Sequence, residues 1–193
     1  MKQTDKDALM FIFAVVAVCV VVHIVNVVSA GYLADFGLLP RHYTHFTGMA
    51  AYPFIHGSWG HLLSNMFSFT VLALLLSRFG LARLISVFMI CWFGSGIGVW
   101  IFGRMNYHIG LSGIIYGLWA YLLVYGLFYR SLKSIVIAFL VIVIYGSMIW
   151  GFVPVHEWIS YESHFFGALA GALAGYGYAR RDSNIDRSKS QIM

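Results

Sequence analysis

Three short polar clusters interrupt a chain that is otherwise strongly apolar, and they hold the side chains able to do chemistry. One is Gly110-Leu111-Ser112-Gly113-Ile114-Ile115-Tyr116, in which a serine flanked by glycines opens an apolar run. Another holds His56, His61 and Asn65, and the third is His164 followed by Gly167, Gly171 and Gly175. A serine hydroxyl becomes a nucleophile when an adjacent base takes its proton, and histidine is the usual base. Histidine and asparagine N–H groups, with the free backbone amides at a helix start, can stabilise the oxyanion of a tetrahedral intermediate. The acids are Asp5, Asp7, Asp35, Glu157, Glu162, Asp182 and Asp186, all terminal or in predicted loops. Glu162 is two residues from His164, a spacing at which helical side chains diverge. These residue types therefore support a Ser–His dyad and not a Ser–His–Asp triad. The soluble-hydrolase elbow G-x-S-x-G does not apply, because position 114 is Ile.

Taken singly, these residues have plainer readings. Serine and glycine are ordinary at helix interfaces in lipid, so Ser112 alone is more often packing than nucleophile, at roughly three to one. His23 and Asn26 fit interhelical hydrogen bonds, and His108 and His156 fall in loops expected to be solvated. His42 and His45 have no carboxylate nearby and make a weak metal site; neither a metal nor a cofactor is expected. Cys19 and Cys91 lie in apolar runs and read as small buried hydrophobes, with no CxxC signature.

The positioning elements follow from composition. Of 193 residues, 61% are hydrophobic and 10% charged, with a mean hydropathy of +0.82. A soluble domain carries about 25% charged residues, so this chain is expected to be solvated by the lipid bilayer. Six runs, near 9–29, 58–78, 82–103, 112–130, 134–153 and 161–179, approach the roughly 20 apolar residues needed to cross it. The first exceeds the 7–15 apolar residues of a secretory signal and reads as a retained helix. The fold expected is an all-α, polytopic six-helix bundle over residues 1–180, with a polar, disordered cytoplasmic tail over 181–193.

The net charge of +5 could suggest nucleic acid, but the basic residues flank apolar runs, which is a topology signal; no nucleic-acid partner is expected. With the N-terminus inside, Lys2, Lys6, Arg78, Arg83, Arg130, Lys133, Arg180, Arg181, Arg187 and Lys189 fall inside, and only Arg41 and Arg104 fall outside. Both termini are then cytoplasmic. The long connection from Gly31 to Ser58 lies outside, where its aromatic residues suit the headgroup level.

That topology gives the three clusters one depth. The second, fourth and sixth runs all enter from outside, placing His61, Asn65, Ser112 and His164 in the outer leaflet. Helical spacing aligns His61 with Asn65, Ser112 with Tyr116, and His164 with Gly167 and Gly171. Gly113 and Gly117 form a second small-xxx-small pair, and close packing of the two glycine surfaces would bring Ser112 toward His164. Polar groups buried in lipid cost several kcal/mol unless partnered, so they read first as functional.

With these motifs in place, the chain resembles the rhomboid intramembrane serine proteases of the minimal six-helix bacterial type. H-x-x-x-x-H-x-x-x-N matches His56, His61 and Asn65; G-x-S-G with a tyrosine four residues past the serine matches Gly110, Ser112, Gly113 and Tyr116. H-x-x-G-x-x-x-G matches His164, Gly167 and Gly171. The resemblance implies Ser112 as nucleophile and His164 as general base. It implies an oxyanion hole from His61, Asn65 and the Ser112 backbone, with Tyr116 packed on His164. It also implies transmembrane protein substrates, cleaved near the outer face. Two features depart from the family: the first outer loop lacks its Trp-Arg pair, and Ser163 stands where many members have Ala or Gly. Two alternatives stay open, a rhombosortase-like enzyme processing C-terminal anchors of secreted proteins, and a non-catalytic relative that binds membrane clients.

Overall fold

The computed structural model describes residues 3–43, 46–154 and 159–191, which are helical with no strand among them. Six long helices make the bundle: α1 (Gln3–Val28), α2 (Trp59–Ser77), α3 (Leu81–Phe102), α4 (Ser112–Tyr129), α5 (Leu132–Tyr145) and α6 (Tyr161–Ser190). Serine caps start three of them. Ser58, Ser131 and Ser160 accept from the backbone N–H of His61, Ser134 and Ser163, each three residues on. Gly80, at φ 107°, makes the turn into α3, and Arg130 ends α4 in the left-handed region.

Among the described residues, five helical stretches are long and apolar enough to cross a bilayer: α1, α2, α3, α4, and α5 together with the 3-10 segment Gly146–Phe152 that continues it. α6 is less apolar because glycines replace its bulky residues where it meets α4. Cβ atoms at Gly167 and Gly171 would come within 1.9 Å of the Gly113 and Gly117 carbonyl oxygens. Only a glycine surface permits this approach, and it makes α4–α6 the closest-packed pair of the bundle. α4 is the hub: Ile114, Leu118, Tyr121 and Tyr125 are all buried along it. The peripheral α1 buries only the stripe Ala8, Ile12, Val15, Cys19, His23 and Asn26, at helical spacing. Its other faces, and those of α5, present Phe13, Val28, Phe139 and Val143 outward, as lipid exposure requires.

The connection between α1 and α2 packs against α3. Tyr52 donates to the Trp92 carbonyl at 2.8 Å, and the Trp92 indole donates to the Met49 carbonyl at 2.9 Å. An isolated antiparallel bridge joins Leu38 to His108 and ties this connection to the α3–α4 loop.

Two expectations are corrected here. His108 is not solvated: it is buried, its Nδ1 lies 2.6 Å from the Ser160 hydroxyl, and burial pushes its imidazole below its ordinary value. Residues 181–190 are not disordered but extend α6 to Ser190. Contacts across the bundle hold this extension. Asp182 accepts from both terminal nitrogens of Arg83, at 2.7 and 3.1 Å, and from the Tyr125 hydroxyl at 2.6 Å; Asp186 accepts from Tyr129. His45 and His156 lie outside the described residues.

Candidate active site

Ser112 is the first residue of α4, and the turn before it is set by Gly110 at φ +108°, a conformation other residues rarely adopt. The Gly110 amide donates to the Tyr52 carbonyl at 2.8 Å, anchoring this turn to the α1–α2 connection. No side chain caps the helix, so its first amides are left available around Ser112.

The glycine surfaces bring α6 to this point. His164 lies one turn before Gly167, and its Nε2 is 3.0 Å from Ser112 Oγ. Its Nδ1 is 2.7 Å from the Gly151 carbonyl oxygen, in the 3-10 segment after α5. A carbonyl only accepts, so Nδ1 carries the hydrogen and Nε2 of the neutral ring is the acceptor facing the serine hydroxyl. Tyr116, one turn into α4, stacks on the imidazole with ring centroids 4.0 Å apart and planes within 9°.

α2 supplies the third side. A Cβ at Gly110 would lie 2.7 Å from His61 Nε2 and 3.4 Å from Asn65 Nδ2, so both side chains reach the turn that precedes the serine. Asn65 is buried, and its Nδ2 has no hydrogen-bond partner. A buried amide without an acceptor is costly unless something else supplies one. His56 is fully buried behind this pair, edge-on to His61 at 4.9 Å, and its Nδ1 donates to the Phe54 carbonyl at 3.2 Å. Burial and the neighbouring His61 push the His56 imidazole down to about 3, so it is neutral. Its own carbonyl accepts from His23 at 3.0 Å and Asn26 at 3.4 Å, so these two residues, expected to bond between helices, tie α1 instead to the connection before α2.

The polar residues marked in the sequence thus converge, while Gly113, Gly167 and Gly171 contribute close backbone approach. Sequence reasoning missed Gly151 and Met148, whose carbonyls face the site, and Ser95 of α3, whose hydroxyl donates to the Ser163 carbonyl at 3.0 Å. Ser163 pairs with the Ser160 hydroxyl at 2.7 Å, so its polarity is satisfied locally. Glu162 is drawn away from His164 into an ion pair with Arg104 Nε at 3.3 Å. Among the described residues no group of three His, Cys, Asp or Glu could hold a metal ion.

Bundle and site together define a polytopic integral membrane protein with a serine and a histidine paired in its interior. The Rhomboid domain model matches residues 42–181, and the chain belongs to the rhomboid family. An uncharacterized protein of Mycobacterium tuberculosis is 34% identical over 174 residues, covering 86% of this chain and 72% of its own length. One from Mycobacterium leprae is 36% identical over 138 residues, covering 67% and 55%.

Proposed function

We propose that this protein is an intramembrane serine endopeptidase that cleaves single-pass transmembrane proteins near the outer membrane face. The observation that carries the reading is the 3.0 Å approach of Ser112 Oγ to a His164 Nε2 whose other nitrogen is held by a carbonyl. The family includes inactive members; a serine paired with a base in the required tautomer favours the catalytic reading over client binding.

In this mechanism Ser112 Oγ attacks the scissile carbonyl carbon while His164 Nε2 takes the hydroxyl proton. The tetrahedral oxyanion receives N–H donors from His61, Asn65 and the Ser112 backbone; the unpartnered Asn65 Nδ2 is suited to this role. Collapse breaks the C–N bond, and His164 returns the proton to the leaving amine. Water, deprotonated by the same nitrogen, then attacks the acyl carbonyl, and collapse breaks the C–Oγ bond, releases the acid product and returns the proton to Ser112 Oγ. The positive-inside distribution supports cytoplasmic termini and a site open to the outer face, from which water enters.

The test is cleavage of a model single-pass substrate reconstituted with the protein in liposomes. Ser112→Ala is expected to abolish cleavage while keeping the wild-type melting transition in detergent. Cleavage at the wild-type rate by this variant would end the proposal.

A further inference from the structure

The base in this site has a backbone carbonyl where a triad would place a carboxylate. His164 Nδ1 lies 2.7 Å from the Gly151 oxygen, and Gly151 belongs to the segment Gly146–Phe152, where the chain leaves the α5 geometry for a 3-10 turn. The same segment is held a second time by the residue that stacks on the base. The Tyr116 hydroxyl donates to the Met148 carbonyl at 2.8 Å, and the Tyr116 ring meets Phe152 edge-on at 5.2 Å. Met148 and Gly151 are one 3-10 turn apart, so these two acceptors face the site together. Position 151 also tolerates no side chain. A Cβ there would fall 1.8 Å from the Tyr116 hydroxyl, 2.8 Å from its Cζ and 3.2 Å from His164 Nδ1.

We propose that the 3-10 segment Gly146–Phe152 is the positioning element of the catalytic base. The Gly151 carbonyl fixes the tautomer and plane of His164, and the Tyr116–Met148 hydrogen bond keeps that carbonyl in register. The assignment rests on the Ser112–His164 dyad and adds to it a residue with no reactive group. Proton transfer requires the Nε2 lone pair to face Ser112 Oγ; a ring free to turn, or to carry its hydrogen on Nε2, presents no acceptor to the serine. A shift of this segment therefore alters the base without touching Ser112.

The experiment measures the rate at which an alkyl fluorophosphonate labels Ser112 in the purified full chain, alongside melting and 15N-histidine NMR. Gly151→Ala is expected to slow labelling roughly 10²-fold, the effect of an ångström-scale misplacement, and to replace the single Nδ1–H tautomer of His164 by a mixture. Tyr116→Phe, which adds no atom and keeps the stack, is expected to give a smaller drop. The double variant Gly151→Ala/Tyr116→Phe removes the 1.8 Å clash and is expected to label roughly tenfold faster than Gly151→Ala alone. Labelling of Gly151→Ala at the wild-type rate, or slow labelling with an unchanged tautomer, overturns the positioning role while leaving the dyad intact. Should Gly151→Ala not fold, Tyr116→Phe decides: slower labelling at wild-type melting supports the role, and an unchanged rate refutes it. No labelling of the wild-type protein at Ser112 overturns the dyad and this assignment with it.

Discussion

Substitution of Gly167 by alanine tests whether the α4–α6 glycine contact sets the site geometry. The added Cβ would lie 1.9 Å from the Gly113 carbonyl oxygen and 3.1 Å from Gly113 Cα, both backbone atoms with no rotamer to yield. Ordinary contact begins near 3.4 Å, so the helices must part by about 1.5 Å at this level. Gly113 follows Ser112 directly and Gly167 lies one turn from His164, so much of that displacement passes to the 3.0 Å Oγ–Nε2 contact. A separation above 4 Å is no hydrogen bond. Overpacking of this kind costs about 1–3 kcal/mol of stability, and misplacement of the base lowers the rate roughly 10²-fold. Gly177→Ala is the control. It lies on the same helix with nothing within 4 Å of its Cβ, so the helix propensity of alanine should leave it neutral or more stable by up to about 1 kcal/mol. Thermal melting in detergent and fluorophosphonate labelling of Ser112 read the two effects separately. If Gly167→Ala melts and labels like Gly177→Ala, the helices are not in register through these glycines and the reasoning fails.

Two further predictions concern ion pairs outside the site. Burial opposes ionisation of Asp182, but hydrogen bonds from Arg83 and Tyr125 outweigh it and hold the carboxyl below its ordinary value. The stability this lends is complete above the unfolded value of about 4 and is lost as pH falls through the lower folded value. Melting of the wild-type protein should therefore drop below about pH 4 more steeply than that of Asp182→Asn; parallel curves would remove Asp182 from the acid response. At the other end of α6, Glu162 is nearly buried beside a half-exposed Arg104. Arg104→Ala should destabilise by less than about 3 kcal/mol, the cost of breaking a fully buried pair, because Arg104 is partly exposed and the backbone N–H at 104 still donates to Glu162. Adding Glu162→Gln should recover part of the loss. Equal melting of the single and double variants would show that the carboxylate bears no such cost.

The parts of this arrangement legible in the sequence were those governed by helix periodicity. The 3.6-residue repeat puts His61 over Asn65, Ser112 over Tyr116 and His164 over Gly167 whatever the tertiary structure, and the glycines say which helices approach. Apolar run length located the helices to within a few residues, apart from α1 and α6, which extend into polar sequence, and α5, expected to run to 153, whose α geometry ends at Tyr145 and gives way to the 3-10 segment. What could not be read depends on contacts between distant segments. Gly146 marks the end of α5, but nothing in residues 147–152 announces that the Met148 and Gly151 carbonyls receive hydrogen bonds from Tyr116 and His164. His108 looked like a loop residue because its burial comes from Leu38, seventy positions earlier, and from Ser160. The helical run past Arg180 holds one hydrophobic residue, Ile185, and no apolar stripe, and its order rests on Asp182 meeting Arg83 at 99 residues' separation.

Among the described residues no carboxylate stands behind His164, where the Gly151 carbonyl takes that place, and this has a physical reason if the site lies within the bilayer. A charged acid within lipid must be desolvated, which costs far more than a neutral acceptor and demands a paired cation. The chain does use acids at the ends of α6, and two of them meet an arginine there: Glu162 with Arg104 and Asp182 with Arg83. Between those ends the acceptors are backbone carbonyls. Gly151 O serves His164, Phe54 O serves His56, His56 O serves His23 and Asn26, and Ser163 O serves Ser95. Each is free because its segment departs from α-helix or because a glycine or serine lets a neighbour approach it. A carbonyl holds the imidazole tautomer as a carboxylate does but stabilises the imidazolium less. If His164 acts as the proposed base, it depends more heavily on its own geometry, and Gly151 directly behind it leaves no room for a side chain.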